Sequence, residues 1–143
     1  MTTFVLDASV AVKWAIPLEE EALTSESVRL LKRYMDGEID FVVPDIFWAE
    51  VANVWCKGVC RHRWSSLIAE QTASDIRRRD FPTVPSSMLF SEALQIALTH
   101  DRSVSDCLYV ALAVQSKTEW ITADERLANA LAARLPVKWL GAI

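Results

Sequence analysis

Four carboxylates occupy positions where a folded chain would bury them. Asp7 and Asp124 each follow a short apolar run, whereas Glu50 and Asp106 lie within or beside apolar stretches of helical length. A buried carboxylate is costly unless a cation or a metal neutralises it, and no Lys or Arg is spaced to neutralise all four. Mg²⁺ or Mn²⁺ would do so, because both ions prefer carboxylate oxygen and water as ligands. The four positions therefore indicate a divalent-metal site.

Each carboxylate also has a structural interpretation. Asp7 and Asp124 stand where a residue between a strand and a helix commonly caps the helix. Asp106 has the spacing to complete a capping box begun by Ser103. Glu50 would be ordinary on a solvent-facing helix surface, although its neighbours one turn away are apolar. The arrangement of the four is therefore a stronger signal than any single residue.

Short strands and longer helices alternate along the chain. Such alternation indicates an α/β fold with a mostly parallel central sheet of about four or five short strands, flanked by about seven helices. In such sheets, ligands bind beyond the carboxyl ends of the strands, where Asp7 and Asp124 stand. The predicted strands are Thr3–Leu6, Ile39–Val43, Thr83–Val84 (very short at best), Glu119–Thr122 and Val137–Leu140. The predicted helices are Ala8–Ile16 (stopped by Pro17), Glu19–Met35, Asp45 to about Lys57 or Arg61, Ser65–Arg79, Ser86–Leu98, Ser105–Gln115 and Asp124–Arg134.

Local details are also predicted for these helices, among them a cap at Ser65 or Ser66 for the fourth helix. The second helix has Leu23, Val28, Leu31 and Met35 near one face, and Asp36-Gly37 closes it. The third helix has Asp45 at its start, where an aspartate is a favourable N-cap.

Length and composition place the chain among compact globular proteins. A chain of 143 residues is predicted to form one domain over residues 1–143. No uncharged apolar run approaches the roughly 18 residues of a membrane span, and no basic residue precedes Asp7, so neither a span nor a signal peptide is predicted. The three cysteines leave at least one unpaired, which favours a reducing cytoplasm. The net charge of −4 does not favour a polyanionic partner.

The order and spacing of the acidic residues resemble those of a PIN domain. The resemblance is carried by Asp7-Ala8-Ser9 after the first strand, the helix of Glu50, Asp106 opening an apolar helix, and Thr122-Ala123-Asp124 after a late strand. Within that superfamily, the chain length and the stretch Ser105–Ala113 look most like the VapC-type toxins of toxin–antitoxin pairs. The resemblance covers nearly the whole chain, and all four acidic positions are filled.

The resemblance implies a metal-dependent ribonuclease. In-line cleavage of a phosphodiester needs an activated water, charge relief at phosphorus and help for the leaving oxygen, and one or two Mg²⁺ or Mn²⁺ ions supply these. Asp7 and Asp106 are predicted to be the primary metal ligands. Asp124 and Glu50 are predicted to bind directly or through water, with one of them orienting the attacking water. Further hydrogen-bonding residues predicted to support these ligands are Ser9, Thr122 and Asn53.

Basic residues gather in two places that are predicted to contact the RNA backbone. One group contains Lys57, Arg61 and Arg63, the other is Arg77-Arg78-Arg79, and Lys13 supplements them. The alternative is that both groups are solvated helix ends, where cations favour the helix dipole. Neither group interleaves aromatic residues in the pattern of a base-stacking platform.

The resemblance also implies partners. A VapB-like antitoxin would place a helix in a groove of the toxin, and homodimers are usual in the family. Two alternatives remain open within the fold: an RNA-processing PIN nuclease outside a toxin–antitoxin pair, and a catalytically weak PIN-fold binding subunit. Cys56, Cys60 and His62 suggest a zinc site only weakly, because a fourth ligand is missing from the pattern.

Overall fold

The structure is a computed structural model that describes residues 1–15 and 22–143. In these residues a five-stranded parallel sheet is surrounded by seven α-helices, as the alternating pattern predicts. The strands are β1 (Thr2–Leu6), β2 (Ile39–Pro44), β3 (Thr83–Val84), β4 (Trp120–Thr122) and β5 (Val137–Trp139). The helices are α1 (Ala8–Ala15), α2 (Thr24–Met35), α3 (Ile46–Cys60), α4 (Ser66–Arg77), α5 (Phe90–His100), α6 (Val104–Gln115) and α7 (Glu125–Leu131).

The strand order β3-β2-β1-β4-β5 puts the first strand at the centre of the sheet. Val5 pairs with Val42 of β2 and Leu6 pairs with Ile121 of β4. Val5 and Leu6 are fully buried, as expected for a strand covered on both faces. Because all the pairings are parallel, the residues that follow β1 and β4 emerge at the same edge of the sheet.

The start of α3 is fixed by a contact that differs from the one predicted. Asp45 does occupy the N-cap position, but its side chain makes no capping hydrogen bond to α3. Its carboxylate instead accepts hydrogen bonds from the Ser86 backbone N–H at 2.9 Å and from the Ser86 hydroxyl. These bonds hold the pKa of Asp45 below its usual value. Asp45 therefore ties α3 to the segment after β3.

The predicted beginning of α2 is wrong. Leu23 has a φ of 67°, which interrupts a right-handed helix, and α2 begins at Thr24. The predicted segment before Ala22, including its start at Glu19 and the stop signal Pro17, lies outside the described residues.

The face of α2 that carries the predicted apolar residues is only partly buried. Val28 is 49% exposed and Met35 is 66% exposed, whereas Ser27 and Leu30 are buried. The Ser27 hydroxyl donates a hydrogen bond to the Val10 carbonyl at 3.0 Å. A polar residue can therefore face the core here, because its hydroxyl binds a backbone oxygen of α1.

The remaining predicted helices differ mainly at their ends. Ser65 caps α4 by accepting a hydrogen bond from the Ile68 N–H at 3.2 Å, as predicted. The predicted helix over Ser86–Leu98 is instead a short 3₁₀ turn at Ser86–Met88 followed by α5. Within the described residues, no helix combines the length and the apolar character needed to cross a membrane.

Candidate active site

Asp7 directly follows the central strand β1, and its hydrogen bonds connect the end of β1 to the end of β4. Its backbone N–H donates to the Ile121 carbonyl at 3.1 Å. Its carboxylate accepts hydrogen bonds from the Ser9 hydroxyl and from the Thr122 hydroxyl, the latter at 3.1 Å. The Ser9 hydroxyl in turn accepts from the Ala123 N–H at 3.1 Å. Two neighbouring strand ends are therefore joined through one carboxylate.

The Asp7 carboxylate lies in an environment that disfavours its charge. Its pKa is raised from an ordinary value of 3.8 to about 6, mainly by burial and also by the nearby charge of Glu50. Hydrogen bonds from Ser9 and Thr122 act in the opposite direction. Among the described residues, no cationic side chain contributes to this shift. At neutral pH the side chain is therefore a carboxylate stabilised by hydroxyl groups rather than by a positive charge.

Glu50 is held by a buried tyrosine. The Tyr109 hydroxyl donates to Glu50 Oε1 at 2.5 Å. The Tyr109 ring is buried and stacks on Trp120, with ring centroids 5.1 Å apart and an interplanar angle of 12°. Burial raises the pKa of Glu50, the hydrogen bond from Tyr109 lowers it, and the charge of Asp106 raises it. Glu50 therefore lies in the electrostatic range of both Asp7 and Asp106.

Asp106 and Asp124 open the two helices that complete this edge of the sheet. The Asp106 N–H donates to the Ser103 hydroxyl at 3.1 Å, which is the cap that the sequence suggests. The Asp124 carboxylate accepts from the Leu127 N–H at 3.1 Å and therefore caps α7. The Asp124 N–H donates to the Thr122 hydroxyl at 3.2 Å. Since Thr122 also binds Asp7, one hydroxyl links the two aspartates.

The arrangement suits a divalent cation in charge and in donor chemistry. Asp7, Glu50 and Asp106 form a chain of mutually repelling charges, and carboxylate oxygens are the donors that Mg²⁺ and Mn²⁺ prefer. In residues 1–15 and 22–143, however, no three acidic, histidine or cysteine side chains stand close enough to form a ready-made ion site. The fit is therefore electrostatic, and the carboxylates are not already gathered into a coordination shell.

The other predicted supporting residues are placed differently from one another. Ser9 and Thr122 both contact Asp7, and Thr122 is fully buried. Asn53 is exposed on α3. Lys13 is only 8% exposed and is therefore poorly placed to reach an RNA backbone. Cys56 and Cys60 are exposed thiols, and the weak zinc hypothesis gains no support from the described residues.

Tyr109 is the residue that the sequence analysis missed. It stands three residues after Asp106, almost one helical turn along α6, so both residues project from similar sides of the helix. A tyrosine inside an otherwise apolar buried helix usually needs a hydrogen-bond partner for its hydroxyl. That requirement, together with the carboxylates expected nearby, could have indicated that the Tyr109 hydroxyl binds one of them.

The fold places aromatic rings beside the second basic group. The Arg77 guanidinium lies over the Trp48 ring at 6.0 Å, and the Arg79 guanidinium lies over the Tyr34 ring at 5.9 Å. These rings come from α2 and α3, so no local pattern in the sequence reveals them. Lys57 is seven residues beyond Glu50 on α3, about 10 Å further along the helix axis.

The comparisons with known proteins agree with this fold. The PIN domain family model matches residues 4–131, and the chain therefore belongs to the PIN domain family. No protein of curated function has a significant sequence match to the chain.

Solved structures share the fold at low sequence identity. PAE2754 from Pyrobaculum aerophilum is 15% identical, with a TM-score of 0.68 over 99% of this chain and 85% of that chain. A toxin–antitoxin complex from Klebsiella pneumoniae contains a chain that is 13% identical, with a TM-score of 0.61 over 94% of this chain and 95% of that one. VapBC2 from Rickettsia felis, bound to a DNA fragment from its promoter, contains a chain that is 12% identical. Its TM-score is 0.61 over 96% of this chain and 98% of that one.

Proposed function

We propose that this chain is a metal-dependent endoribonuclease and the toxin of a VapBC-like pair, acting in the cytoplasm as one PIN domain over residues 1–143. The observation that carries the proposal is the Asp7 carboxylate. It is buried at the end of the central strand, bound by two hydroxyls and adjacent to the charge of Glu50. A fold that only needed a helix cap would not gather repelling carboxylates there.

Asp7 and Asp106 are assigned as the primary ligands of Mg²⁺ or Mn²⁺, with Asp124 and Glu50 binding directly or through water. A divalent ion held there would supply Lewis-acid relief of charge on the phosphate oxygens. Ser9 and Thr122 fix the direction of the Asp7 carboxylate.

Glu50 is assigned the proton transfer. Its Oε1 is taken by Tyr109, which leaves Oε2 to accept a proton from the attacking water. The water oxygen bonds to phosphorus, the bond from phosphorus to the leaving ribose oxygen breaks, and that oxygen takes up a proton from solvent to become a hydroxyl.

Two of the similar structures are toxin–antitoxin assemblies, which supports an antitoxin partner for this chain. The chain offers apolar surface for such contacts and for a homodimer. Phe90, Leu94 and Leu98 recur every four residues on one face of α5 and are 55%, 48% and 76% exposed. An RNA-processing PIN nuclease outside a toxin–antitoxin pair would use the same active site, and the presence of an adjacent antitoxin gene would distinguish the two.

A catalytically weak binding subunit is the second candidate. It is favoured by one observation, namely that the described residues hold no ready-formed cluster of three metal-binding side chains. Such a protein would bind RNA or an antitoxin without cutting RNA.

Cleavage of an end-labelled RNA pool by antitoxin-free protein tests the proposal. The reactions contain Mg²⁺, Mn²⁺ or EDTA, and Asp7→Asn protein is assayed alongside. Cuts that need metal and disappear in the variant support a carboxylate-metal ribonuclease. Metal-independent cuts that the variant also makes contradict the assignment. Absence of cuts, combined with retained RNA binding, favours the binding subunit.

A further inference from the structure

A cavity of about 320 Å³ opens on the side of α3 that faces away from Glu50. It is lined by Trp48, Arg77, Asp80, Phe81 and Thr83. Its wall thus combines an aromatic ring, a guanidinium and a carboxylate, which neither the acidic site nor the helix packing requires.

The indole of this cavity is held in one orientation. The Trp48 ring lies nearly parallel to that of Phe81, with centroids 6.2 Å apart and an interplanar angle of 27°. Trp48 Nε1 donates to the Thr83 hydroxyl at 3.1 Å, and that hydroxyl donates to the Phe81 carbonyl at 2.9 Å. The ring is therefore fixed from one side while remaining half-buried.

The charged groups around the ring are free to rearrange. The Arg77 side chain is 73% exposed and that of Asp80 is 89% exposed, and their ion pair has an N···O distance of 3.5 Å. Exposed pairs of this kind contribute little to stability. A ligand can therefore replace the contact between Arg77 and Asp80 at small cost.

The cavity lies close to the acidic site. Trp48 and Glu50 are two residues apart on α3, so their side chains point to nearly opposite sides of the helix at about the same height. A helix with its side chains is about 10–12 Å across. A strand of RNA that passes around the beginning of α3 would therefore reach both.

We propose that this cavity binds an unpaired base of the RNA substrate, with the base stacked against Trp48 and its amino-bearing edge towards Asp80. The inference rests on the proposed ribonuclease function and adds a base-recognition subsite to it. Unpaired bases are recognised by aromatic rings and arginine planes, together with hydrogen bonds to their edges. The Asp80 carboxylate disfavours a phosphate in the cavity and favours a base that offers an amino group.

Cytosine and uracil provide a matched pair of probes. Cytosine carries an amino group where uracil carries a carbonyl oxygen, and a carboxylate accepts from that amino group. Binding of oligocytidylate and oligouridylate of equal length is measured with the full chain carrying Asp7→Asn, in Mg²⁺, so that no cleavage occurs. We expect roughly tenfold tighter binding of oligocytidylate. Adding Asp80→Asn should abolish this preference, because an amide both donates and accepts hydrogen bonds.

The stacking contact is tested separately. Trp48→Leu should weaken binding of both oligomers by about 5- to 150-fold, the range expected for one lost base stack. Because Trp48 is half-buried, the exposed Arg77→Gln is made as well, and it should weaken binding without disturbing the fold. Arg63→Gln is the control: Arg63 lies over the Trp64 ring at 5.3 Å, beyond the other end of α3, and its loss should leave the cytosine preference intact.

Several outcomes would overturn the subsite. One is equal binding of the two oligomers by a protein with an intact cavity. Another is unchanged RNA binding in both Trp48→Leu and Arg77→Gln. If these two variants lost antitoxin binding but kept RNA binding, the cavity would belong to a protein interface instead. In each case the parent chain would still cut RNA with metal, so the proposed function would stand. Failure of the parent chain to bind or cut any RNA would remove both proposals.

Discussion

The two sides of α3 place charge in opposite environments. On one side, Glu50 lies among buried groups, close to Asp7 and bonded to Tyr109. On the other side, the Arg77 guanidinium lies over the Trp48 ring, is exposed to solvent and forms an ion pair with Asp80. One helix thus separates a site with uncompensated negative charge from a surface where opposite charges are weakly matched.

The difference shows which interactions each side is able to provide. Repelling carboxylates destabilise the folded chain until a cation binds, so the Glu50 side should respond strongly to metal and to pH. Exposed ion pairs are screened by salt and contribute little, so the Trp48 side should respond to ionic strength and to base identity. Substitutions on the two sides should therefore differ in kind, and those on the Glu50 side should have the larger effects.

Replacing either primary acidic residue should have the largest effect. Asp7→Asn and Asp106→Asn should each lower metal-dependent RNA cleavage by at least about 100-fold, because the loss of a ligand removes several kcal/mol of transition-state stabilisation. Cleavage rates at saturating Mn²⁺ measure the effect. Asp36→Asn, an exposed residue paired with Lys32, is the control and should cut at the parental rate. Parental activity in both site variants would refute the site assignment.

The pH dependence of stability should distinguish the buried side next. Well below pH 3.8, Asp7 is protonated in both the folded and the unfolded state, so its burial does not lower the free energy of unfolding through charge. Since burial raises its folded-state pKa to about 6, the free energy of unfolding should fall by roughly 3 kcal/mol as the pH rises from 3.8 through 6. Urea denaturation in metal-free buffer should show that Asp7→Asn lacks this loss and is the more stable protein at pH 7.

Metal provides the reciprocal measurement. Mn²⁺ at pH 7 should stabilise the parent chain and have much less effect on Asp7→Asn, because binding to the folded state alone raises stability. Equal responses of the two proteins would mean that the ion binds elsewhere or binds the unfolded chain.

Tyr109→Phe should have an intermediate effect. The variant keeps the ring that stacks on Trp120 but loses the hydroxyl that holds Glu50 Oε1. A hydrogen bond to a charged group contributes about 1.5–3 kcal/mol, so cleavage should fall roughly 10- to 100-fold. Apparent affinity for Mn²⁺ should fall with it, which a purely structural residue would not cause. Tyr34→Phe is the matched control, because its hydroxyl contacts the Arg79 carbonyl at 3.5 Å, away from the carboxylates.

What the sequence predicts correctly is mostly what local chemistry decides. Asp124 as a cap and Ser65 as a cap follow from residues three positions away, and the parallel sheet follows from the alternation of short apolar runs with helices. The position of Asp7 at the sheet edge follows from the same alternation.

The failures involve partners distant in the chain. The Asp45 carboxylate accepts a hydrogen bond from the Ser86 N–H, 41 residues away, and does not cap the helix that it precedes. The Tyr109 hydroxyl reaches Glu50 across 59 residues. Ser27 faces the core because Val10 offers a carbonyl, and periodicity of apolar residues carries no information about such a bond.

The smallest expected effect concerns the salt dependence on the Trp48 side. Replacing Arg77, Arg78 and Arg79 together by Gln should reduce the slope of log affinity against log salt by at most about 2, because each phosphate contact to single-stranded RNA contributes about 0.7. The reduction should be smaller than this limit, since Arg77 and Arg78 already pair with Asp80 and Asp75. Lys57→Gln with Arg61→Gln, further along α3, should change the slope less. A larger change in the Lys57 and Arg61 variant would indicate that the RNA passes the other end of α3. An unchanged slope in both multiple variants would mean that all these residues are solvated helix ends that do not contact RNA.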